Sequence, residues 1–433
     1  MTDDCCGTGK RNGHYDLAVI GAGSAGFSAA ITAADQGAQV ALIGHGTIGG
    51  TCVNVGCVPS KALIRAAEAI HHANTASRFA GVLAVGQVKD WNALRAQKDE
   101  LVASLRQAKY IDLLPAYNGV AYLEGQARLG NGDVLVDEKH IDAGKIIVAT
   151  GSHEFVPAIP GIEDIPYLTS TTAFEMKNLP ESMLVIGGGY IGCELAQMFA
   201  RVGVKVTIAF RSRLLPEGEP EISEALAGYF ETEGITVRRV GRYDSIRTSA
   251  CGVTLSVTID GSAKTLEAQR VLLSAGRKAN TVGLGLEEAG VALMPNGGIK
   301  VDDRMRTTKA GVYAAGDVTG RDQFVYMAAY GAKIAAFNAL NGDGRSYDNL
   351  AMPAVVFTDP QVASVGLTEA AARAQGIDAR TSVLSLDNIP RALAARDTRG
   401  LIKLVADGST NKLIGAHILA PEGADSIQTA ALA

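Results

Sequence analysis

Short runs of apolar residues, each closed by glycine, alternate along the chain with alanine-rich segments. Residues 15–20 (YDLAVI) precede the turn Gly21-Ala-Gly23-Ser24-Ala25-Gly26, an alanine-rich stretch continues to about Gln36, and residues 39–43 (QVALI) are apolar again. Uninterrupted apolar runs of this length predict buried strands, and the alanine-rich stretch between them predicts a helix. The order predicts a strand–turn–helix–strand unit of a parallel sheet.

The same order of elements occurs a second time. Residues 183–186 (MLVI) precede Gly187-Gly-Gly189-Tyr190-Ile191-Gly192, a helix is predicted from about Cys193 to Arg201, and residues 205–209 (KVTIA) form the next apolar run. Two such units in one chain predict two nucleotide-binding domains.

Two further apolar runs that end in glycine, at 145–151 and 270–276, bracket the second unit. They predict the points where the chain leaves and re-enters the first domain. From about residue 352 the pattern changes to strands with turn signals, which predicts an antiparallel α+β domain. The predicted fold class is therefore α/β, with two Rossmann-like domains and a C-terminal α+β domain. The predicted divisions are a tail (1–13), the first nucleotide domain (14–151 and 276–350), the second (152–275) and the α+β domain (351–433).

A G-x-G-x-x-G turn carries information only in its context, which is a preceding strand and a following helix. Both copies have that context. The first two glycines permit a tight turn and close approach to a pyrophosphate, the third lets the helix pack on the strand, and the helix N-terminus adds partial positive charge. The alternative, two unrelated glycine turns, has to account for the same context twice.

The residue that ends the second strand of such a unit decides how the ribose is held. In the first unit this position is Gly44-His45, where an acidic residue is expected, so the ribose contact stays unassigned. In the second unit it is Phe210-Arg211-Ser-Arg213, without a carboxylate. Arginines there suit a 2′-phosphate and favour NADPH over NADH. The alternative is that both arginines are ordinary surface residues.

Cysteine occurs twice in the segment Gly49-Gly50-Thr51-Cys52-Val-Asn-Val-Gly-Cys57-Val-Pro59-Ser-Lys61. Two cysteines five positions apart can close a disulfide in a bent backbone, and a helix predicted to begin near Pro59 would lower a thiol pKa. The alternatives are an inert pair or half of a zinc site, although no further Cys or His follows at close spacing. Cys193 and Cys251 are interpreted as structural, and Cys5-Cys6 as a tail pair of open role.

Composition and charge narrow the class of function. With 433 residues, 47% of them hydrophobic and 20% charged, the chain is typical of a multidomain globular protein. The net charge of −5 is spread along the chain without a basic block, which argues against a nucleic-acid partner. Glu194, Lys145 and Lys333 interrupt the best candidates for a membrane-spanning run, and no signal segment is visible, so no membrane association and a cytoplasmic location are predicted.

These motifs resemble the flavin disulfide reductase family over residues 14 to 433. The segment GGTCVNVGCVPSK matches the family's redox signature, and the glycine turns occur in family order, followed by Ala-Ala-Gly316-Asp317. Within the family the chain is similar to the mercuric reductases, at residues 46–50, 352–361, 385–394 and 397–400. The resemblance implies FAD in the first nucleotide domain and NADPH in the second. It identifies residues 351–433 as an incomplete interface domain, and it implies a homodimer if that domain is complete.

The resemblance also implies roles for individual residues. Cys57 would be the charge-transfer thiolate beside the flavin and Cys52 the outer thiol, and the two would bind Hg(II). Lys61 would pair with Glu194 near the flavin, and Tyr190 would cover the nicotinamide pocket. The implied cofactor-binding residues are Gly21, Gly23, Ser24, Ala25, Gly26, Gly50, Thr51, Lys61, Thr150, Gly151, Asp317, Gly187, Gly189, Tyr190, Ile191, Gly192, Arg211, Arg213, Gly276 and Arg277.

The implied reaction is NADPH + Hg(II) → NADP⁺ + H⁺ + Hg(0), with Hg(II) delivered as a thiol complex. Two alternatives stay open: an NADPH-dependent disulfide reductase of the same family, and a non-enzymatic thiol protein that binds mercury. Family members continue beyond the position of Ala433, to a second cysteine pair in the mercuric reductases. The expectation is therefore a fragment or a truncated gene product.

Overall fold

The computed structural model describes residues 14–130, 133–250 and 252–433. Cys5, Cys6 and Cys251 lie outside the described residues. The strands, in chain order, are β1 (His14–Ile20), β2 (Val40–Gly44), β3 (Val120–Glu124), β4 (Ala127–Leu129), β5 (Val134–Val136), β6 (Lys139–Val148), β7 (Ser152–Glu154), β8 (Tyr167–Leu168), β9 (Ser182–Ile186), β10 (Lys205–Phe210), β11 (Thr236–Arg239), β12 (Arg242–Ser249), β13 (Gly252–Ile259), β14 (Ser262–Ala268), β15 (Arg270–Leu273), β16 (Arg277–Ala279), β17 (Val312–Ala314), β18 (Ala354–Val356), β19 (Gln361–Gly366), β20 (Ala379–Ser385), β21 (Leu401–Asp407) and β22 (Leu413–Ala420).

Helices, together with short 3₁₀ turns, connect some of these strands. The α-helices are α1 (Ser24–Ala34), α2 (Gly50–Asn54), α3 (Cys57–Asn74), α4 (Trp91–Arg106), α5 (Ser170–Ala173), α6 (Tyr190–Arg201), α7 (Pro220–Thr232), α8 (Val325–Asn341), α9 (Glu369–Ala374), α10 (Pro390–Ala395) and α11 (Gly423–Leu432). A π-helical turn, Gln107–Ile111, directly follows α4.

The chain divides into two compact units. The first contains the described residues up to 54 together with 102–153 and 277–348, and the second contains 55–101, 154–276 and 349–433.

A seven-stranded sheet forms the centre of the first unit. Its order is β3-β2-β1-β6-β5-β4, and β17 pairs with β6. β1 runs parallel to both neighbours, so that Val19 pairs with Leu42 on one side and Ile147 on the other. These three side chains are fully buried, which explains why the strands are uninterrupted apolar runs. Helix α1 packs against α8, where the Ser28 hydroxyl donates to the Ala329 carbonyl at 2.9 Å.

Among its described residues, the second unit contains three sheets. One is parallel, in the order β11-β10-β9-β15-β8, and carries the second strand–helix–strand repeat as β9-α6-β10. The three-stranded sheet β12-β13-β14 is antiparallel. The C-terminal sheet, in the order β18-β19-β22-β21-β20, is antiparallel throughout.

A buried ammonium group links the C-terminal sheet to helix α7. The side chain of Lys403, on β21, is 2% exposed and lies 3.0 Å from Glu219, 2.8 Å from Glu221 and 2.9 Å from Glu369. Glu219 is equally buried, and its second oxygen accepts a hydrogen bond from the Glu369 backbone at 2.7 Å. The three ammonium protons of Lys403 therefore each have a carboxylate acceptor, which a charge at this depth requires.

The predicted fold class is confirmed: both strand–helix–strand units are present, and the chain ends in an antiparallel sheet with helices. Two helix starts differ from the prediction. Helix α6 begins at Tyr190 rather than near Cys193, because Gly189 is an extended N-cap with φ −79° and ψ −174°. Helix α3 begins at Cys57, so that Pro59 is its third residue. Among the described residues, none of the helices combines the length and the apolar composition that spanning a bilayer requires.

Candidate nucleotide sites and redox cysteines

The first glycine turn, between β1 and α1, forms a cradle that only glycine can build. Gly21 has φ +118°, and a Cβ there would overlap the Ala149 carbonyl. A Cβ on Gly26 would overlap the Gly21 carbonyl, so the helix packs directly on the turn. Gly23 is the N-cap of α1 and has no side chain to satisfy the first helical N–H groups. Those groups, with the helix dipole, fit a dinucleotide pyrophosphate.

Asp317 lies beside this turn. A Cβ on the neighbouring Gly316, which has φ +78°, would be 3.1 Å from the Cβ of Ala25 on α1. The Asp317 carboxylate accepts a hydrogen bond from the Ser152 hydroxyl at 2.7 Å. Arg277 in turn donates to the Ser152 hydroxyl at 2.8 Å and to its carbonyl at 2.7 Å. The carboxylate is therefore held in place by a chain of hydrogen bonds.

Two of the other predicted contacts of the first unit support the backbone. Thr150 donates from its hydroxyl to the Asn280 carbonyl at 2.8 Å, and Asn280 returns a hydrogen bond to the Thr150 carbonyl at 2.8 Å. Gly151, with φ +72°, has open space where its Cβ would be. The two residues fix the chain at the end of β6, beside the glycine turn.

Ser24 and Gly50 connect the glycine turn to its surroundings. The Ser24 hydroxyl lies 3.0 Å from the hydroxyl of Tyr110, in the π-helical turn, and the Tyr110 ring meets Phe27 edge-on with centroids 4.8 Å apart. A Cβ on Gly50 would be 2.6 Å from the Cα of Gly23. The start of α2, which carries Thr51 and Cys52, therefore lies directly against the first glycine turn.

The two cysteines occupy the start of two helices. Cys52 is the third residue of α2, and Cys57 is the first residue of the 18-residue helix α3. Both side chains are partly buried. A helix N-terminus stabilises a thiolate, so Cys57 has the position expected of the more reactive sulfur. Cys193 differs, because it is fully buried and burial raises the pKa of its thiol far above the usual range.

Lys61 and Glu194 form an ion pair in the second unit. Their N–O distance is 2.8 Å, and the Glu194 side chain is 6% exposed against 33% for Lys61. The second Glu194 oxygen accepts the backbone N–H of Phe357 at 2.9 Å, and the Lys61 ammonium lies 5.0 Å from the centre of the Phe357 ring. Both oxygens of this buried carboxylate are therefore satisfied, and the lysine is held at one orientation.

Glu194 belongs to a row of side chains along α6. Gln197 donates to the Asp359 carbonyl at 2.7 Å and accepts from the Asp359 N–H at 2.8 Å. Arg201, one turn further, donates to the Asp359 carboxylate at 2.9 Å. Side chains of α6 thus hold the segment 357–359 through the backbone groups of that segment and through the Asp359 carboxylate.

The second glycine turn repeats the geometry of the first. Gly187 has φ +118°, and a Cβ there would overlap the Ser274 carbonyl, while one on Gly192 would overlap the Gly187 carbonyl. Gly189 is again the N-cap and has no side chain, so the first N–H groups of α6 fit a pyrophosphate. Tyr190 opens the helix with Ile191 beside it, and burial, with the charge of Glu217, raises the pKa of the Tyr190 phenol.

The two arginines after β10 are placed differently. Arg213 is partly buried and donates to the Pro216 carbonyl at 2.6 Å and the Gly218 carbonyl at 2.7 Å, so it stabilises the loop. Arg211 directly follows the strand and is exposed. Arg211 is therefore the better candidate for a 2′-phosphate.

Gly276 supports the backbone after β15. It has φ +120°, and its carbonyl accepts the Phe155 N–H at 2.9 Å.

One group of side chains in the described residues has the spacing of metal ligands: Glu68, His72 and Asp359. The Asp359 carboxylate, however, already accepts hydrogen bonds from Arg201 at 2.9 Å and Arg399 at 3.1 Å. Two guanidinium charges beside the same carboxylate disfavour a cation there. We therefore interpret Glu68, His72 and Asp359 as part of a network of ion pairs and hydrogen bonds rather than as a metal site.

Several residues of these sites were not predicted from the sequence. Ser152 and Asn280 carry signals that were available, since each follows one of the glycine-ended runs. Phe357 lies inside the segment 352–361 that carried the resemblance, but a backbone N–H leaves no trace in a sequence. The contact of Tyr110 with Ser24 could not be predicted from the sequence, because the two positions are 86 residues apart.

The comparisons with known proteins agree with this geometry. Residues 15–335 match the model of the pyridine nucleotide-disulphide oxidoreductase family, and residues 352–433 match the dimerisation domain of that family. The chain belongs to the pyridine nucleotide-disulphide oxidoreductase family. Among curated relatives it is similar to a mercuric reductase of Streptomyces lividans, 47% identical over 96% of this chain and 89% of the relative. It is 43% identical to a mercuric reductase of Staphylococcus aureus, over 98% of this chain and 78% of the relative.

A solved structure supports the same assignment. The HOCl-induced flavoprotein disulfide reductase of Escherichia coli is 33% identical, with a TM-score of 0.83 over 96% of this chain and 92% of that one. The resemblance inferred from the cysteine and glycine motifs is thereby confirmed.

Proposed function

We propose that this chain reduces Hg(II) to Hg(0) with NADPH, by way of FAD and the thiols of Cys52 and Cys57. The observation that carries the proposal is the identity of 42–47% to seven curated mercuric reductases, each over at least 96% of this chain. The two glycine cradles supply a place for each dinucleotide. The overall reaction, NADPH + Hg(II) → NADP⁺ + H⁺ + Hg(0), transfers two electrons.

The proposed cofactor sites follow the two glycine turns. The turn Gly21–Gly26 and the Asp317 carboxylate would hold FAD, and the turn Gly187–Gly192 with Arg211 would hold NADPH. When bound, FAD supplies two-electron transfer between the nicotinamide and the dithiol. Arg211 directly follows β10, where a carboxylate would otherwise select NADH, so it would bind the 2′-phosphate through charge-assisted hydrogen bonds.

The cysteines would bind the metal substrate. Hg(II) is a soft ion, and thiolates are the soft ligands among protein side chains. Cys52 and Cys57 would take Hg(II) from a small-thiol complex as two thiolates, with the position of Cys57 at the start of α3 favouring the charged form. Lys61, held in place by Glu194, would keep a positive charge near the flavin. Tyr190 would cover the nicotinamide pocket until NADPH enters.

We propose that the enzyme acts as a homodimer in the cytoplasm. Residues 352–433 match a dimerisation domain, and a compartment that keeps thiols reduced suits a dithiol site.

The test is NADPH oxidation by the purified flavoprotein with and without Hg(II), in excess small thiol, with volatile mercury trapped. Cys52→Ala and Cys57→Ser should each abolish Hg(II)-dependent oxidation while FAD stays bound. The matched control is Cys193→Ala, which removes a buried thiol and should keep the activity. Turnover retained in the Cys52→Ala variant would contradict the assignment.

A second candidate, disulfide reduction, is favoured by the similarity to the Escherichia coli flavoprotein disulfide reductase. The same preparation should therefore be tested with glutathione disulfide in place of Hg(II). NADPH oxidation that depends on the disulfide, with no Hg(0) released from Hg(II), would establish the alternative. A protein that binds Hg(II) without FAD would instead be a stoichiometric thiol binder.

A further inference from the structure

The first nucleotide unit lacks its usual ribose ligand. In strand–helix–strand dinucleotide sites, a carboxylate at the end of the second strand accepts hydrogen bonds from the ribose hydroxyls. Here β2 ends at Gly44, which has no side chain, and His45 follows on the surface. A site that holds a dinucleotide by its pyrophosphate alone would leave the adenosine ribose without a polar partner on this strand.

The volume that a side chain at position 44 would fill is occupied by Tyr122. A Cβ built on Gly44 would lie 2.6 Å from the Tyr122 hydroxyl oxygen and 2.9 Å from Cε2 of its ring. The same Cβ would lie 2.8 Å from the Cβ of Ala22, inside the first glycine turn. The phenol hydroxyl therefore lies next to the end of β2 and close to the phosphate-binding turn, in space that a side chain at position 44 would need.

The register of the sheet explains this placement. β3 runs parallel to β2, with Tyr122 paired to Leu42 and Glu124 paired to Gly44. Tyr122 is therefore one pleat before the strand end, and its long side chain reaches forward to the edge at which nucleotides bind in parallel sheets. Any residue larger than glycine at position 44 would displace the ring, so the two positions depend on each other.

The Tyr122 hydroxyl is in the protonation state that a ribose ligand needs. Burial, and then the charge of Glu124, raise the pKa of the Tyr122 phenol above its usual value. It stays neutral at physiological pH and can both donate a hydrogen bond and accept one.

We infer that Tyr122 replaces the strand-end carboxylate as the ligand of the adenosine ribose of the dinucleotide bound at the first glycine turn. The inference rests on the proposed function for the identity of that dinucleotide, FAD. It assigns to a neighbouring strand a contact that this class of site ordinarily takes from the end of β2.

The experiment measures ribose recognition without turnover. FAD is stripped from the purified protein, and its rebinding is followed by flavin fluorescence in competition with ADP or with 2′,3′-dideoxy-ADP. In the unchanged protein ADP should compete about fivefold better than the dideoxy compound, the ratio expected for one net hydrogen bond. In Tyr122→Phe the ratio should fall to about one, while Tyr15→Phe, at the far end of the same sheet, should retain it.

A reciprocal variant tests the shared space. Gly44→Glu alone should weaken FAD binding, because the new side chain meets the Tyr122 ring. Gly44→Glu combined with Tyr122→Val removes the conflict with the ring, although not the 2.8 Å contact with the Ala22 Cβ, so it should bind FAD more tightly than Gly44→Glu alone and regain the preference for ADP. Retention of the ADP preference in Tyr122→Phe would overturn the inference, and its loss in Glu124→Gln instead would assign the ribose to that carboxylate.

The outcomes separate this inference from the proposed function. A protein that rebinds FAD and reduces Hg(II), but does not distinguish the two ADP compounds, would refute only the role of Tyr122 and leave the proposed function intact. A protein that shows the ribose preference without Hg(II) reduction would leave the role of Tyr122 intact and refute the proposed substrate.

Discussion

Replacing Lys403 with methionine should destabilise the second unit by about 3 kcal/mol. Breaking a buried ion pair by removing one partner costs on the order of 3–5 kcal/mol, because the other charge stays buried. Only Glu219 is fully buried with Lys403, at 2% exposure, whereas Glu221 and Glu369 are 42% and 29% exposed and are screened by water. The lower end of that range is therefore expected.

The assay can use a single reporter. The chain contains one tryptophan, Trp91, which is 7% exposed and belongs to the same unit as Lys403. Urea unfolding followed by its fluorescence should show the midpoint of Lys403→Met lowered by about 1 M, for a slope of roughly 3 kcal/mol/M. Lys412→Met, at an exposed position on the same domain, is the matched control and should change the free energy of unfolding by less than about 0.5 kcal/mol.

The pH dependence gives a second check. The hydrogen bond from Lys403, and then that from Arg373, lower the pKa of Glu369 below 4.5. A lowered carboxyl pKa contributes stability that is present above the unfolded value and is lost as the pH falls through the folded value. The difference between the unchanged protein and Lys403→Met should therefore be largest above about pH 5 and shrink toward pH 3. Adding Glu219→Gln should recover part of the loss. Equal urea midpoints at pH 7 would refute the reasoning.

Three further predictions concern the nucleotide sites and the C-terminal sheet. Glu194→Gln keeps an acceptor for the Phe357 N–H but removes the charge facing Lys61, so steady-state kcat should fall about tenfold with little change in melting temperature; an unchanged kcat would exclude a role for the ion pair. Arg211→Gln should raise the KM for NADPH about tenfold and leave that for NADH unchanged, whereas equal effects on both would show that the 2′-phosphate lies elsewhere. Burial lowers the pKa of His417 below 6.5, so the unfolded chain binds more protons than the folded one as the pH falls below 6.5. His417→Asn should remove this part of the acid destabilisation between pH 7 and pH 5, which urea midpoints at the two pH values would reveal.

The fold could be predicted from sequence because its signals are local. Each buried parallel strand is a continuous apolar run, and each glycine turn follows one, so the pattern alone indicated both nucleotide units. Helix starts were predicted less accurately. The extended backbone of the N-cap Gly189 lets α6 begin at Tyr190, inside the glycine motif, and those backbone angles cannot be inferred from the residue types alone.

The parts of the sites that could not be predicted depend on pairing between distant segments. The side chain that fills the space at Gly44 comes from a strand about 80 residues later, and only the register of β3 on β2 places Tyr122 there. The contact of Ser24 with Tyr110 and the backbone support of Glu194 by Phe357 are of the same kind. A resemblance to known enzymes gives the residue types at a motif, but it does not give such contacts.

The row of side chains along α6 has a consequence for how chains of this kind can change in length. Glu194, Gln197 and Arg201 all meet the segment 357–359 from one face of the helix. Because each residue advances an α-helix by about 100°, one inserted or deleted position after Gly192 would turn this face away and separate all three from their partners. Differences in length among relatives should therefore fall in loops such as residues 79–90, and the distance between the nucleotide turn and Arg201 should stay constant.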